Sequence, residues 1–152
     1  MMRFTRRRVL PRIAALLVAP LALARRAQAQ IPALDPAIRA IAKGAPVNKG
    51  RVKIEAPALA DNGNSVPLKV SVDSAMSSAA RVKIIHLISE KNPVRNMATY
   101  YFGSRAGRAQ VATRVRLAGS QTITAVAELA DGSFWMDSAE IVVTSSACLD
   151  ES

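Results

Sequence analysis

From Arg51 onward the apolar residues recur at every second position, and few features restrict a chain more than that period. Val52 and Ile54 alternate with Lys53 and Glu55. After a turn at Asp61-Asn62-Gly63-Asn64, Val66, Leu68, Val70 and Val72 mark a strand with one apolar face. Further strands are expected over Arg81 to Ser89, Ala98 to Phe102, Ala109 to Leu117, Gln121 to Leu129 and Ser133 to Thr144. The last two flank Asp131-Gly132, a strong hairpin signal. Six or seven short strands with turn signals about every ten residues and no second helix predict an all-β fold, an immunoglobulin-like antiparallel β-sandwich. The Cys-Trp-Cys pattern of true immunoglobulin domains is missing, because the chain holds one cysteine. Without a disulfide or a four-ligand zinc site, the core alone must hold the fold.

Ahead of the strands, Asp35-Pro36 opens a short helix that runs to Lys43, with Asp as N-cap, Pro at the first helical position and Gly44 just past the end. Leu34, Ile38, Ile41 and Ala42 share one face, with Leu34 as a candidate staple. About eight residues are too few for a helix to stand alone, so it must dock on its own domain or on a partner chain. Ala45 to Gly50 is expected as a linker. The expected organisation is a leader over 1–29, helix and linker over 30–50, the sandwich over 51–144 and a tail over 145–152.

The leader has a basic stretch through Arg12, an apolar stretch from Ile13 to Ala24, and Ala27-Gln28-Ala29 as a small-x-small cleavage site. Twelve apolar residues including Pro20 are too short to span a bilayer, so a cleaved signal peptide is expected and not a membrane anchor. Thr5-Arg6-Arg7-Arg8-Val9-Leu10 resembles a twin-arginine motif, with an ordinary Sec signal as the alternative. Either route predicts a periplasmic protein. Seven of the 21 Lys and Arg lie in this segment and none of the 11 acids does, so its removal lowers the net charge from +10 to +3. A nucleic-acid partner loses its electrostatic basis. The mature aromatics Tyr100, Tyr101, Phe102, Phe134 and Trp135 sit in two clusters and make a poor stacking platform.

The sequence contains no phosphate-cradling glycine loop, metalloprotease helix or dinucleotide fingerprint. The only histidine, His86, falls in the apolar run from Val82 to Ile88, and is expected as a half-buried strand residue and not a general base. No enzyme active site, metal or cofactor is predicted. The strand itself is apolar on both faces, with Val82, Ile84, His86 and Ile88 opposing Lys83, Ile85, Leu87 and Ser89. It is either a central strand buried on both sides or an exterior strip for a partner, for which Ile85 and Leu87 are the candidate contacts. Arg114 and Arg116 fall on the face opposite Val111, Thr113, Val115 and Leu117, as a solvated face requires. Trp135 is expected to pack on the core. Cys148 lies four residues past Thr144, in a mostly polar tail beside Asp150 and Glu151, where a thiol is available for chemistry. The alternatives are an inert small hydrophobe or an intermolecular disulfide.

Several spaced runs in order carry a family resemblance: RVKIEAPALADNGNSVP at 51–67, VKIIHLISEKNP at 82–93, TRVRLAG at 113–119, DGSFW at 131–135, and Val143-Thr144 with a cysteine four residues on. They are similar to the SoxY family of thiosulfate-oxidation carriers. The resemblance implies a periplasmic sandwich that is not itself an enzyme, forms a heterodimer with a SoxZ-like subunit and carries sulfur intermediates covalently on Cys148. It further implies a thiosulfate-oxidising cytochrome, a hydrolase and a sulfur dehydrogenase as partners, with no cofactor beyond the bound sulfur. The family's tail reads Gly-Gly-Cys-Gly-Gly. Here Ser146-Ala147 precede the cysteine and Leu149-Asp150-Glu151-Ser152 follow it. Ala147 and Leu149 stiffen and widen that arm relative to glycine, and the two acids disfavour the thiolate. A non-carrier interaction or structural subunit of the same fold is the competing expectation.

Overall fold

A computed structural model describes residues 35–146. The segment expected as a signal peptide, Leu34, and the tail residues Ala147, Cys148 and Leu149 lie outside the described residues.

Asp35 Oδ1 accepts the Ala37 N–H at 2.8 Å and starts helix α1, Pro36–Ala42. Lys43 closes it in the left-handed region at φ 52°, with Gly44 following at φ 82°. The strands are β1 Val47–Lys49, β2 Val52–Glu55, β3 Leu59–Ala60, β4 Val66–Val72, β5 Val82–Ser89, β6 Asn96–Tyr101, β7 Ala109–Val115, β8 Gln121–Leu129 and β9 Phe134–Val143. The large sheet runs β1-β9-β8-β5-β6, with β3 also paired to β9, and the small sheet runs β2-β4-β7. The two sheets stack as the predicted sandwich. The expected linker is partly strand: Val47 to Lys49 pair in parallel with Phe134 to Met136. Leu59 and Ala60, just before the Asp61 turn and assigned no element from the sequence, pair in parallel with Val142 and Val143. Both segments are too short for a period to show.

The core follows the period-two pattern. Val52, Ile54, Val66, Leu68, Val70 and Val72 from the small sheet meet Val82, Ile85, Leu87, Ile123, Ala125, Ala127, Leu129 and Ile141 from the large one. Asp137 Oδ2 on β9 accepts the Ile54 N–H at 3.0 Å, a polar clasp between the sheets. On the outer face of the large sheet α1 lays Ile38 and Ala42 over Ile88, Val126 and Phe134. The helix therefore docks on its own domain, and it covers one end of β5.

Two expectations about β5 need correction. Its register against β8 shifts between Val82 and Ile84, so Val82 joins Ile85 and Leu87 in the core while His86 and Ile88 lie on the outer face. Ile85 and Leu87 are 0% exposed between the sheets and offer nothing to a second chain. The strand is central, flanked by β8 and β6, which is the buried alternative of the two the sequence left open.

Candidate functional site

The site that can be built is the root from which the cysteine-bearing tail leaves. It forms where the end of β9 meets two turns. Ser120 Oγ clasps the last β9 residue on both sides, donating to the Val143 carbonyl at 3.3 Å and accepting the Val143 N–H at 2.9 Å. The Thr144 N–H donates to the Ala60 carbonyl at 3.1 Å and its hydroxyl to the Asp61 carbonyl at 2.7 Å. One residue on, the Ser145 carbonyl accepts the N–H of buried Gly63 at 2.8 Å, and the Gly63 carbonyl accepts from Leu117 N–H at 2.8 Å. Ser146 Oγ then donates to the Ala118 carbonyl at 2.5 Å. Residues 144 to 146 are thus bonded to the sandwich, and the segment expected as a free tail from residue 145 begins at least two residues later.

The Ala118 turn is itself fixed by a buried polar network. Asn92 Oδ1 accepts the Ala118 N–H and the Gln121 side-chain amide, each at 2.9 Å, and Asn92 Nδ2 donates to the Arg116 carbonyl at 2.8 Å. Gln121 Oε1 accepts from Ser89 Oγ at 2.5 Å and from Lys91 N–H at 3.0 Å, and Ser89 Oγ accepts the Asn92 N–H at 2.8 Å. Ser89 and Gln121 are almost wholly buried, and no buried side-chain polar atom among the described residues lacks a partner. A complete network of this kind rigidifies what it touches. Sequence reading missed these residues, although Ser89, Asn92 and Pro93 stand in the 82–93 run singled out above. Their polar types just past an apolar strand were the available signal.

The side chains of the other candidates make no bond to the root. His86 is half-buried, with Nδ1 3.2 Å from Thr99 Oγ1, and burial pushes its pKa below the usual 6.5 against a weaker upward pull from Glu128. It faces the outer side of the sheet, as a structural histidine. Trp135 packs on the core edge, its indole N–H donating to Ser133 Oγ at 3.0 Å and Arg51 stacked 4.8 Å above the ring. Arg114 and Arg116 are exposed, as a solvated face demands. Asp35, beside the helix, is opposed by burial but held below its usual pKa by Arg95 and the Ala37 N–H. Among the described residues no group of three or more His, Cys, Asp or Glu could hold a metal ion, and no helix is long and apolar enough to cross a membrane.

Solved structures share this architecture. The sulfur carrier protein SoxY from Chlorobium limicola f thiosulfatophilum superposes with a TM-score of 0.61 at 24% identity, over 72% of this chain and 90% of that one. A superoxide reductase (neelaredoxin) from Ignicoccus hospitalis gives 0.55 at 22% identity, over 62% and 80%. A putative superoxide reductase from Thermotoga maritima gives 0.55 at 19%, over 64% and 93%. At these identities the likeness is one of fold. No curated protein matches the chain. The family profile of sulfur oxidation protein SoxY matches residues 38–148, from the docked face of α1 through the root to the cysteine. The chain belongs to the SoxY family of sulfur oxidation proteins.

Proposed function

We propose that this protein is a periplasmic sulfur carrier, not a catalyst, that holds thiosulfate-derived intermediates covalently on Cys148 while partner enzymes act on them. The observation that carries this reading is the extent of the family match, which runs to residue 148. The geometry of the root supports it, because Ser146, two residues before Cys148 in the sequence, is bonded to the sandwich at a defined point. Loading joins the Cys148 sulfur to the sulfane sulfur of thiosulfate. The thiol proton is released and two electrons pass to a cytochrome-type oxidase partner, leaving an S-thiosulfonate. Hydrolysis then cleaves the bond to the sulfonate sulfur: water supplies the fourth oxygen of sulfate, two protons leave, and a persulfide anion stays on the protein for a sulfur dehydrogenase.

Export with cleavage after Ala29 and pairing with a SoxZ-like subunit complete the proposal. With Ile85 and Leu87 in the core, the large apolar side chains left exposed among the described residues are Leu59, Val94, Tyr101 and Val142. Leu59 and Val142 are register partners two residues before the root, which makes that edge the better place for a subunit that shares the tail. Intact-mass measurement of the purified mature protein, with thiosulfate and an oxidised cytochrome partner, tests the carrier chemistry. One reducible thiosulfate-derived addition is expected, and none on Cys148→Ser. Full thiosulfate turnover by Cys148→Ser would leave the non-carrier interaction subunit as the reading.

A further inference from the structure

One side of the sandwich lies between β6, an edge strand of the large sheet, and β7, an edge strand of the small one. A groove of about 310 Å³ runs there, with Val94, Met97 and Tyr100 along one wall and Arg114 and Arg116 along the other. Asn92 lines its near end, and Asn92 is bonded to the N–H of Ala118, the residue whose carbonyl anchors Ser146. The groove therefore opens at the point where the tail leaves the fold. Val94 is 71% exposed. Among the described residues the Arg114 side chain bonds only to Ser65, at its carbonyl and its hydroxyl, and neither arginine has an acidic partner.

We infer that this groove is the docking site of the chain's own segment Ala147 to Glu151. The chemistry is complementary, since Cys148-Leu149 is apolar and Asp150-Glu151 carries two negative charges. The spacing agrees as well. At about 3.3 Å per extended residue, Cys148 and Asp150 lie about 7 and 13 Å beyond Ser146. Arg116 and Arg114 stand two and four residues back from Ala118 along β7 and its extension, the same two distances at strand rise. A tail running back along β7 sets Cys148 beside Arg116, Leu149 against the apolar wall and Asp150 beside Arg114. The bare thiol is then covered until a partner enzyme displaces the segment. The inference goes beyond the carrier reading and does not require it.

The alkylation rate of Cys148 by iodoacetamide in the full mature chain, without thiosulfate, tests it. Docking predicts a slow rate that rises about fivefold or more in Arg116→Gln, in Asp150→Asn with Glu151→Gln, and in 0.5 M salt, with the combined variant no faster than either. Through-space electrostatics alone predicts the opposite for Arg116→Gln, because removing a cation near a thiol raises its pKa and slows alkylation. Arg116 has no side-chain partner among the described residues, so an unchanged melting temperature serves as the folding control. A rate unchanged or slowed by Arg116→Gln would overturn the inference. So would protection that grows with protein concentration, which would mean that a second copy fills the groove. Loss of thiosulfate loading with these rates intact would strike the carrier reading alone.

Discussion

Asn92→Ala should loosen the tail root more than any other single side-chain truncation around it. Its amide makes three bonds that hold the Ala118 turn: to the Ala118 N–H, to the Gln121 amide and to the Arg116 carbonyl. The Arg116 bond is exposed, and water replaces it at little cost. The other two face inward. Gln121 is 3% exposed, and its side-chain NH2 group would keep only the Gly119 carbonyl at 3.3 Å. At about 1 kcal/mol for each lost bond, and somewhat more for a buried donor left short, the cost is about 2–3 kcal/mol. That is a large share of the roughly 5–15 kcal/mol that holds a domain together. For a domain of this size it corresponds to a melting temperature lower by about 10 °C. Asn92→Asp keeps the acceptor and loses the donor to the Arg116 carbonyl and to Met97 Sδ, so it should cost about 1 kcal/mol. Thermal denaturation of the three proteins measures the difference. An Asn92→Ala variant that melts within about 2 °C of the parent would show that the network does not hold the root.

Leu87→Ala should destabilise the fold by about 2–5 kcal/mol in urea denaturation, since Leu87 is wholly buried between the sheets; a stable variant defective only in partner binding would restore it as an interface residue. Ser146→Ala removes the hydroxyl bond to Ala118, about 1 kcal/mol, and hydrogen exchange at the Gly63 amide should quicken about fivefold, whereas no change would place the anchor elsewhere. Burial lowers the His86 pKa in the folded state, so the unfolded chain binds more protons: stability should fall as pH drops through the ordinary value of 6.5 toward the folded one. His86→Gln should flatten that part of a stability–pH curve, and an unaltered slope would assign it to other groups.

The sandwich was legible because its long strands have one wet face. Val66, Leu68, Val70 and Val72 are all buried, as their alternation requires, and Asp131-Gly132 does turn the chain, with Asp131 Oδ1 accepting the Ser133 N–H at 2.9 Å. The helix cap was legible because Asp35-Pro36 satisfies a local rule. What failed needed non-local information. The β5 bulge reassigns Val82 without any mark in its own residues, because the shift is set by pairing with β8. Parallel pairing of Val47 to Lys49 and Leu59 to Ala60 depends on β9, more than 80 residues away. The root was missed for the same reason: Gly63, Asn92 and Ala118 belong to three separate turns, and only the fold brings them to Ser146.

That convergence changes how the departure from a glycine-rich tail is to be weighed. Counted from Thr144, four extended residues would give Cys148 a reach of about 13 Å; counted from the anchored Ser146, two residues give about 7 Å. Reach is then set less by the bending freedom of Ala147 than by which bonds at the root are intact. Releasing the Ser146 hydroxyl adds one residue, about 3.3 Å, for about 1 kcal/mol, or about a fivefold drop in population. Releasing the Gly63 to Ser145 bond as well adds another residue at a similar cost. Glycine at 147 and 149 would widen the angles open to the arm without lengthening it. Sulfur transfer limited by depth of entry should therefore respond to Ser146→Ala, and transfer limited by bending should respond to Ala147→Gly. The two substitutions separate the cases because one acts on an anchor and the other on backbone freedom alone.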